Sequence, residues 1–155
     1  RWGLMLVSAF DGISKLLAES FPKVKKTYIV NMPNPFKRPC FFLDYVTSST
    51  DYLSTGIYQQ RSSWQIVYFA TLAKEGKADI FEQLKVAEQI ERLFVESKVL
   101  YCPNGDIFHV EHVEGEPRDD EVYMMVDLWT TQKRKQNHDQ YDIMKEIEHK
   151  FKEVK

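Results

Sequence analysis

Residues 34–46 read NPFKRPCFFLDYV, and this stretch decides how the neighbouring segments are interpreted. Two prolines and two basic residues stand immediately before an apolar run that begins at Cys40. Because proline lacks a backbone N–H, it is accepted in a sheet mainly at an edge or as the first residue of a strand. Pro39 therefore marks the start of a strand. The nearly continuous apolar character of residues 40–47 predicts that this strand is covered on both faces.

The residues after this run predict a long hairpin. Residues 48–51 (SSTD) are of the types that favour a turn. Residues 56–71 then predict a second long strand, which is polar on both faces near the turn and apolar after Trp64. We therefore predict a hairpin whose base lies in the domain and whose tip, about residues 48–62, projects beyond it.

The segment before residue 34 predicts a helix and a short strand. Apolar residues at spacings of four, three and four lie on one helical face, and these are Leu6, Phe10, Ile13 and Leu17. Phe21-Pro22 ends this helix, because proline disfavours helical geometry in the residue before it. A short strand is expected at residues 27–30.

A second helix and three strands are predicted after the hairpin. Asp79 is the expected N-cap, with Glu82 three residues later. The expected buried stripe of this helix is Phe81, Leu84, Ala87, Ile90, Leu93 and Phe94. The strands are expected at residues 98–102, 106–113 and 122–131, with a tight turn at residues 103–105.

The last residues predict a polar, basic connector followed by an amphipathic helix. The apolar stripe of that helix is Ile143, Ile147, Phe151 and Val154. A helix of this length is only marginally stable alone in water, so it is expected to dock on its own domain or on a neighbouring copy.

The expected fold class is α+β: a mostly antiparallel sheet with a long hairpin, helices packed on one face, and an extra C-terminal amphipathic helix. The chain of 155 residues is long enough for one hydrophobic core. Residues 1–131 are expected to form this α+β domain, and residues 132–155 the connector and the C-terminal helix.

Composition argues against several classes of protein. A formal net charge of −2 disfavours a general nucleic-acid binder. No apolar stretch approaches the roughly 18 residues of a membrane span, so no membrane association is expected. The two cysteines, Cys40 and Cys102, are expected to be free core thiols in a reducing compartment.

No motif in the sequence predicts catalysis, a cofactor or a metal site. His109, Glu111 and His112 resemble metal ligands, but alternation along a regular strand would turn the two histidines to opposite faces. The acidic run from Glu111 to Glu121 fits no calcium loop, and a solvated connector is the preferred interpretation. We therefore expect a protein that is not an enzyme.

Charge is distributed unevenly along the chain, and two interpretations stay open. The first third carries positive charge, residues 111–121 carry negative charge, and Lys133, Arg134 and Lys135 are positive again. The positive residues of the first third are Lys23, Lys25, Lys26, Lys37 and Arg38. These charges either form solvated faces or make a head-to-tail contact between copies, which closes into a ring if the rotation allows.

The order of elements, together with several short blocks, resembles the small tail terminator proteins of long-tailed bacteriophages and phage-like elements. The resemblance covers most of residues 5–131. The blocks that carry it are Phe21-Pro22, Tyr28-Ile29-Val30, the connector ending in Phe36-Lys-Arg-Pro39, Cys40-Phe-Phe-Leu43, Arg61-Ser-Ser-Trp-Gln-Ile-Val-Tyr68-Phe69, Ala87-Glu-Gln-Ile90-Glu-Arg-Leu93 and Val122-Tyr-Met-Met-Val126.

The resemblance implies a structural protein of the virion tail or neck, assembled in the host cytoplasm. Such proteins form a homo-oligomeric ring, usually a hexamer, on the last ring of the tail tube. There they stop polymerisation of the tail tube protein and present a joining surface to the head–tail connector and neck proteins. DNA passes through the lumen without specific binding, and no cofactor is involved.

The expected contact residues lie near the hairpin tip and in the basic connector. They are Asp51, Tyr52, Leu53, Tyr58, Gln60, Arg61, Lys133, Arg134 and Lys135. Two alternatives remain. A head-side neck or head–tail completion protein would bind the connector rather than the tube, and a regulatory nucleic-acid binder would use residues 133–135 in a salt-sensitive way.

Overall fold

The structure, a computed structural model, describes residues 5–29 and 31–134. Over these residues the chain forms two helices and six strands. The helices are α1 (Met5–Ser20) and α2 (Ile80–Ser97), and the strands are β1 (Thr27–Ile29), β2 (Cys40–Tyr52), β3 (Ile57–Phe69), β4 (Val99–Tyr101), β5 (Ile107–Arg118) and β6 (Glu121–Lys133). The predicted α+β class is confirmed.

The six strands form one sheet in the order β1-β2-β3-β6-β5-β4. β1 pairs with β2 in parallel, whereas every other neighbouring pair is antiparallel. The sheet is therefore mixed, with its one parallel pair at an edge.

Three of the strands build a long ladder at the centre of the sheet. β2 pairs with β3 from Cys40↔Phe69 to Tyr52↔Tyr58, and β3 pairs with β6 along its whole length. The turn predicted at residues 48–51 is wrong, because these residues continue β2. The chain turns at residues 53–56, where the backbone N–H groups of Leu53 and Ser54 donate to the carbonyl of Ile57. Interstrand hydrogen bonds here override the turn preference of serine and aspartate.

The acidic residues after Glu111 also belong to a strand, rather than to the predicted connector. β5 continues to Arg118, and a tight turn at residues 119–120 leads directly into β6. The prediction of a solvated connector is therefore wrong, although the acidic side chains remain exposed on an outer strand. β6 runs to Lys133, so residues 132 and 133 belong to the sheet.

Two bulges lie at the same level of the sheet. Val46 in β2 and Glu111 in β5 are each an extra residue without a partner across the ladder. Between them, Ser63 of β3 pairs with Asp127 of β6. Because a bulge bends a strand and increases its twist, the two bulges separate the base of the sheet from the part that ends at the turn of residues 53–56.

The hydrophobic core lies between one face of the sheet and the two helices. Alternate residues of each central strand point into it, as expected for a sheet with one covered face. Its largest fully buried side chains include Trp64, Phe41, Phe94, Phe108, Ile13, Leu17, Leu43, Ile66, Ile90, Met124 and Leu128. The other face, which we call the open face, carries mostly polar side chains. Cys40 and Cys102 are free and buried, as predicted.

Helix α2 begins where the sequence predicts but turns a different face to the core. The Asp79 carboxylate accepts a hydrogen bond from the Phe81 backbone N–H at 3.0 Å, which confirms the cap. Phe81 and Leu84, however, are 68% and 48% exposed, so the predicted buried stripe is wrong at these two positions. Gln83 is buried instead. Its amide donates to the carbonyls of Asp119 and Glu121, at 2.8 and 3.2 Å, so burial leaves the amide satisfied.

The basic, proline-rich segment before Cys40 ties three strands together at the base of the sheet. The Arg38 guanidinium lies 5.4 Å from the Phe36 ring and 5.5 Å from the Phe69 ring. It also donates to the Ala70 carbonyl at 3.2 Å and pairs with the Glu121 carboxylate at 3.3 Å. The start of β2 is thereby held to the end of β3 and the start of β6, which is why charge stands so close to the apolar run.

The predicted C-terminal helix lies outside the described residues. Among the described residues, no helix is both long enough and apolar enough to cross a membrane.

Candidate interaction surface

The end of the sheet formed by the turn of residues 53–56 brings together six of the nine predicted contact residues. We call this the tip surface, and it consists of Asp51, Tyr52, Leu53, Tyr58, Lys133 and Arg134. Strand pairing explains the grouping: Tyr52 pairs with Tyr58, and Lys133 pairs with Ile57. The Arg134 backbone N–H donates to the Gly56 carbonyl at 2.7 Å, which holds the end of β6 against the turn.

The tip surface combines exposed apolar groups with positive charge. Tyr52 is 75% exposed and Leu53 is 57% exposed. Lys133 and Arg134 are exposed beside them. Ile57 is also exposed here, and the sequence alone did not indicate it, because its position at the turn-facing end of β3 depends on where the turn lies. Exposed aromatic and aliphatic groups next to basic side chains are characteristic of a protein contact.

The remaining predicted residues lie elsewhere. Gln60 is half-buried, and its Oε1 atom has no hydrogen-bond partner among the described residues. Arg61 lies nearer the bulges, where its guanidinium pairs with the Glu111 carboxylate at 2.5 Å across the open face. Lys135 lies outside the described residues. The sequence therefore groups Arg61 with the tip, whereas the structure gives it a partner inside the domain.

The bulge at Glu111 changes where the histidines point. His109 pairs with Trp129 and His112 pairs with Asp127, two positions apart on β6, so both histidines face the open side of the sheet. The prediction that they point to opposite faces is wrong, because strict alternation fails at a bulge. The His109 ring stacks on the Trp129 ring, with 4.1 Å between the ring centroids. No group of three or more metal-ligating side chains occurs among the described residues.

The cysteines are poorly placed to act as nucleophiles. Burial raises the pKa of the Cys40 thiol, even though the nearby Arg38 acts in the opposite direction. Burial is also the main reason why the pKa of Cys102 is raised. A raised pKa keeps the thiol protonated at neutral pH, and the protonated thiol is a weak nucleophile and metal ligand.

Each side of the sheet ends in a strand edge that is mostly open. On one side, β1 covers β2 only at residues 41–43, and on that side residues 44–52 have no neighbouring strand among the described elements. On the other side, β4 covers β5 only at residues 107–109. Residues 111–118 of β5 are therefore a second open edge. Unpaired backbone groups along a strand edge are natural sites of association with another chain.

A third exposed surface lies at the start of α2. It consists of Ile80, Phe81 and Leu84, and each of these side chains is about half exposed or more. Phe81 and Leu84 were predicted to lie in the core, because an apolar stripe alone does not identify which of two overlapping helical faces is buried.

Comparison with known families identifies the chain. A family model described as phage tail terminator protein matches residues 10–140, which span about two thirds of α1 and every later element of the described fold. A comparison with curated proteins finds no match. The family match confirms the resemblance noted in the sequence. It also indicates a structural protein of the virion that associates with other phage tail or neck proteins. The chain therefore belongs to the phage tail terminator protein family.

Proposed function

We propose that this protein assembles as a homo-oligomeric ring, with six copies as the expected number, on the end of the tail tube. There it stops polymerisation of the tube protein and offers a joining surface to head-side neck proteins. The observation that carries the proposal is the family match over residues 10–140. The proposed action uses shape and surface chemistry, without catalysis or a cofactor, and leaves DNA free to pass through the lumen.

The arrangement of the sheet supports ring formation. Its two open edges lie on opposite sides of the domain, and they differ in sequence. A contact between two different surfaces of the same chain is heterologous, and repeated heterologous contacts close into a ring when the rotation between copies permits. A protein with two dissimilar edges is therefore suited to form a ring rather than a two-fold dimer.

The tip surface is suited to contact with the tube or the neck proteins. It lies at the end of the sheet, beyond the two bulges and away from the core. Tyr52 and Leu53 there are the most exposed pair of neighbouring large apolar side chains in the described residues. Burying them against a partner would contribute about 25 cal/mol per Å² of apolar surface, before the cost of ordering the side chains.

The first test replaces Tyr52 and Leu53 together by serine. Because both side chains are mostly exposed, the fold is expected to keep its stability to within about 0.5 kcal/mol. Purified tail-tube protein is allowed to polymerise with each variant, and tube lengths are measured by negative-stain microscopy. The unmodified chain is expected to shorten the tubes, and the double variant is expected to need about tenfold more protein for the same effect, or more.

The matched control for this test is Tyr101→Ser. Tyr101 is 71% exposed, but it lies in β4 at the opposite side of the sheet from β2. It is expected to limit tube length as the unmodified chain does. Equal activity of the Tyr52→Ser/Leu53→Ser variant and this control would rule out the tip surface as a contact. Tubes of unchanged length with the unmodified chain would rule out the terminator function itself.

A second test separates two roles for Arg61, which we propose as a further partner contact. Arg61→Glu places two carboxylates together, whereas the double variant Arg61→Glu/Glu111→Arg restores an ion pair inside the domain. The single variant is expected to lose some thermal stability because its two carboxylates repel each other, and the double variant is expected to recover it. The change is expected to be about 1 kcal/mol at most, as for other exposed ion pairs.

Tube-length control by the two Arg61 variants decides which role matters. If the positive charge of Arg61 contacts a partner, both variants are expected to be weakened by a similar factor. Full recovery of tube-length control in the double variant would mean that Arg61 acts only through Glu111, and it would remove Arg61 from the proposed contact.

A further inference from the structure

The edge of the sheet at β1 carries four exposed lysines. Three of them precede β1 and one precedes β2: they are Lys23, Lys25, Lys26 and Lys37. None of these lysines forms an ion pair with another described residue, in contrast to Arg38, which is held by Glu121. These exposed charges therefore have no ion-pair partner among residues 5–29 and 31–134. We call this the basic edge.

The opposite edge, at β5, is acidic. The exposed carboxylates there are Glu111, Glu114, Glu116 and Asp119. Some of this charge is offset locally, since Arg118 pairs with Glu116 at 2.8 Å and Arg61 with Glu111. The net charge of this edge is still negative. We call residues 111–119 the acidic edge.

Strand register places the two edges at the same height on the sheet. Tyr28 of β1 pairs with Phe42 of β2, and Phe42 pairs with Val67 of β3. Val67 in turn pairs with Tyr123 of β6, and Tyr123 pairs with Glu116 of β5. The lysines just before β1 and the carboxylates near the end of β5 thus lie at the base of the sheet, on opposite sides.

Neither edge is suited to pair with a second copy of itself. Two acidic edges would repel each other, as would two basic edges, and such like-charge contacts are strongly disfavoured. A basic edge against an acidic edge is the contact that charge permits.

Strand direction supports the same pairing. β1 runs toward the tip of the sheet, parallel to β2, whereas β5 runs from the tip toward the base. If copies are related by rotation about an axis along the strands, β1 of one copy approaches β5 of the next in antiparallel orientation. Antiparallel neighbours are the more frequent arrangement in sheets.

We propose that the basic edge of one copy binds the acidic edge of the next, and that this contact closes the ring. The partner of each edge is thus a second copy of this chain. The inference rests on the proposed ring, and it adds the surfaces that build the ring and the reason why the contact is head-to-tail. Its strength is expected to fall as salt rises, because the lysines and carboxylates are exposed.

Two variants that reverse one edge each provide the test. The first is Lys23→Glu/Lys25→Glu/Lys26→Glu, which makes both edges acidic. The second is Glu114→Lys/Glu116→Lys, which makes the β5 edge basic like the β1 edge. Assembly is measured by native mass spectrometry and by microscopy of tail-tube ends, and circular dichroism checks that each variant is folded. Each variant alone is expected to assemble at least about tenfold more weakly than the unmodified chain.

An equimolar mixture of the two variants is expected to assemble again. In the mixture, each acidic β1 edge meets a basic β5 edge, and each basic β1 edge meets an acidic β5 edge. The rings that form are expected to contain both variants in equal numbers. A contact between identical edges would join the copies only in pairs, because it uses one edge of each copy, so it would give dimers of the two variants rather than rings.

The control reverses three exposed lysines that lie outside the basic edge, in the segment after β3 and in α2: Lys74→Glu/Lys77→Glu/Lys85→Glu. It changes the net charge by the same amount as the first edge variant and is expected to leave the ring intact. Rings formed normally by either edge variant alone, or folded variants that fail to assemble when mixed, would overturn the edge contact while leaving the terminator function standing. An unmodified chain that stays monomeric both alone and on tube ends would overturn both.

Discussion

Replacing Trp64 by alanine is expected to lower the free energy of unfolding by about 3–5 kcal/mol, a large share of the stability of a domain this size. Trp64 is fully buried in β3 and packs against the rings of Phe10 and Tyr45. The distances between ring centroids are 4.6 Å to Phe10 and 5.5 Å to Tyr45. Its indole N–H donates to the Ser62 hydroxyl at 2.9 Å. Alanine would leave a cavity between α1 and the sheet and would remove both ring contacts.

The control for this change is Trp129→Ala. Trp129 is half-buried on the open face, where it stacks on His109, so its removal opens no enclosed cavity. Denaturant unfolding followed by circular dichroism compares the variants. If Trp64→Ala abolishes folding, Trp64→Phe still tests the claim, because phenylalanine keeps most of the ring packing and is expected to lose less stability. Equal losses for Trp64→Ala and Trp129→Ala would contradict the assignment of the core face.

Replacing Gly115 by alanine is expected to be the most disruptive single-methyl change in the sheet. Gly115 pairs with Met124, and a Cβ atom at this position would lie 2.7 Å from the Met124 Cα and closer still to the Tyr123 carbonyl oxygen. Such an approach requires β5 to move away from β6. The expected loss is about 1–3 kcal/mol or more, measured as a shift in the denaturation midpoint.

Gly56→Ala provides the matched control, because a Cβ atom at Gly56 would meet no atom within 4 Å. Its expected change in stability is within about 0.5 kcal/mol. A Gly115→Ala variant as stable as Gly56→Ala would show that β5 and β6 are not packed as described. The comparison is informative because both glycines lie in or beside the sheet, and only one of them is in close contact with a neighbouring backbone.

The fold class and the cores of most elements could be predicted from local pattern. Residues 40–46 identified the start of β2 because apolar and aromatic residues follow a proline that cannot continue a ladder. Asp79 marked the start of α2, and Phe21-Pro22 marked the end of α1. The turn at residues 103–105 is present, with Gly105 at φ +92° between β4 and β5. Each of these signals acts through the backbone of a few neighbouring residues.

The lengths of β2 and β5 could not be predicted in the same way. Residues 48–51 are polar or charged and residues 111–118 mostly so, and locally they favour turns and exposed connectors. They form strands because β3 and β6 supply hydrogen-bond partners across two hairpins, and β3 and β6 pair with each other although they are far apart in the chain. The bulge at Glu111 has the same origin. It places His112 on the open face, where strict alternation along β5 would not place it.

The candidate interaction surfaces were likewise predicted only in part from the sequence. The sequence indicated the tip, since Tyr52, Leu53 and the basic residues near 133 stand out in the chain, but it placed Arg61 among them. The structure pairs Arg61 with Glu111 and shows that Phe81 and Leu84 are exposed, because Gln83 occupies the core side of α2 instead.

The sequence by itself determined the α+β class and the family. It also determined the end of α1, the start of α2 and the start of β2. These properties depend on residue type and short-range periodicity. Only the tertiary structure decided how far β2 and β5 extend, which face of α2 is buried, and that the lysines before β1 and the carboxylates of β5 lie on opposite edges at one height. The extents of β2 and β5 depend on pairing across hairpins with β3 and β6. The other properties depend on contacts between residues far apart in the chain, such as the pairing of β3 with β6, and no local pattern encodes that register.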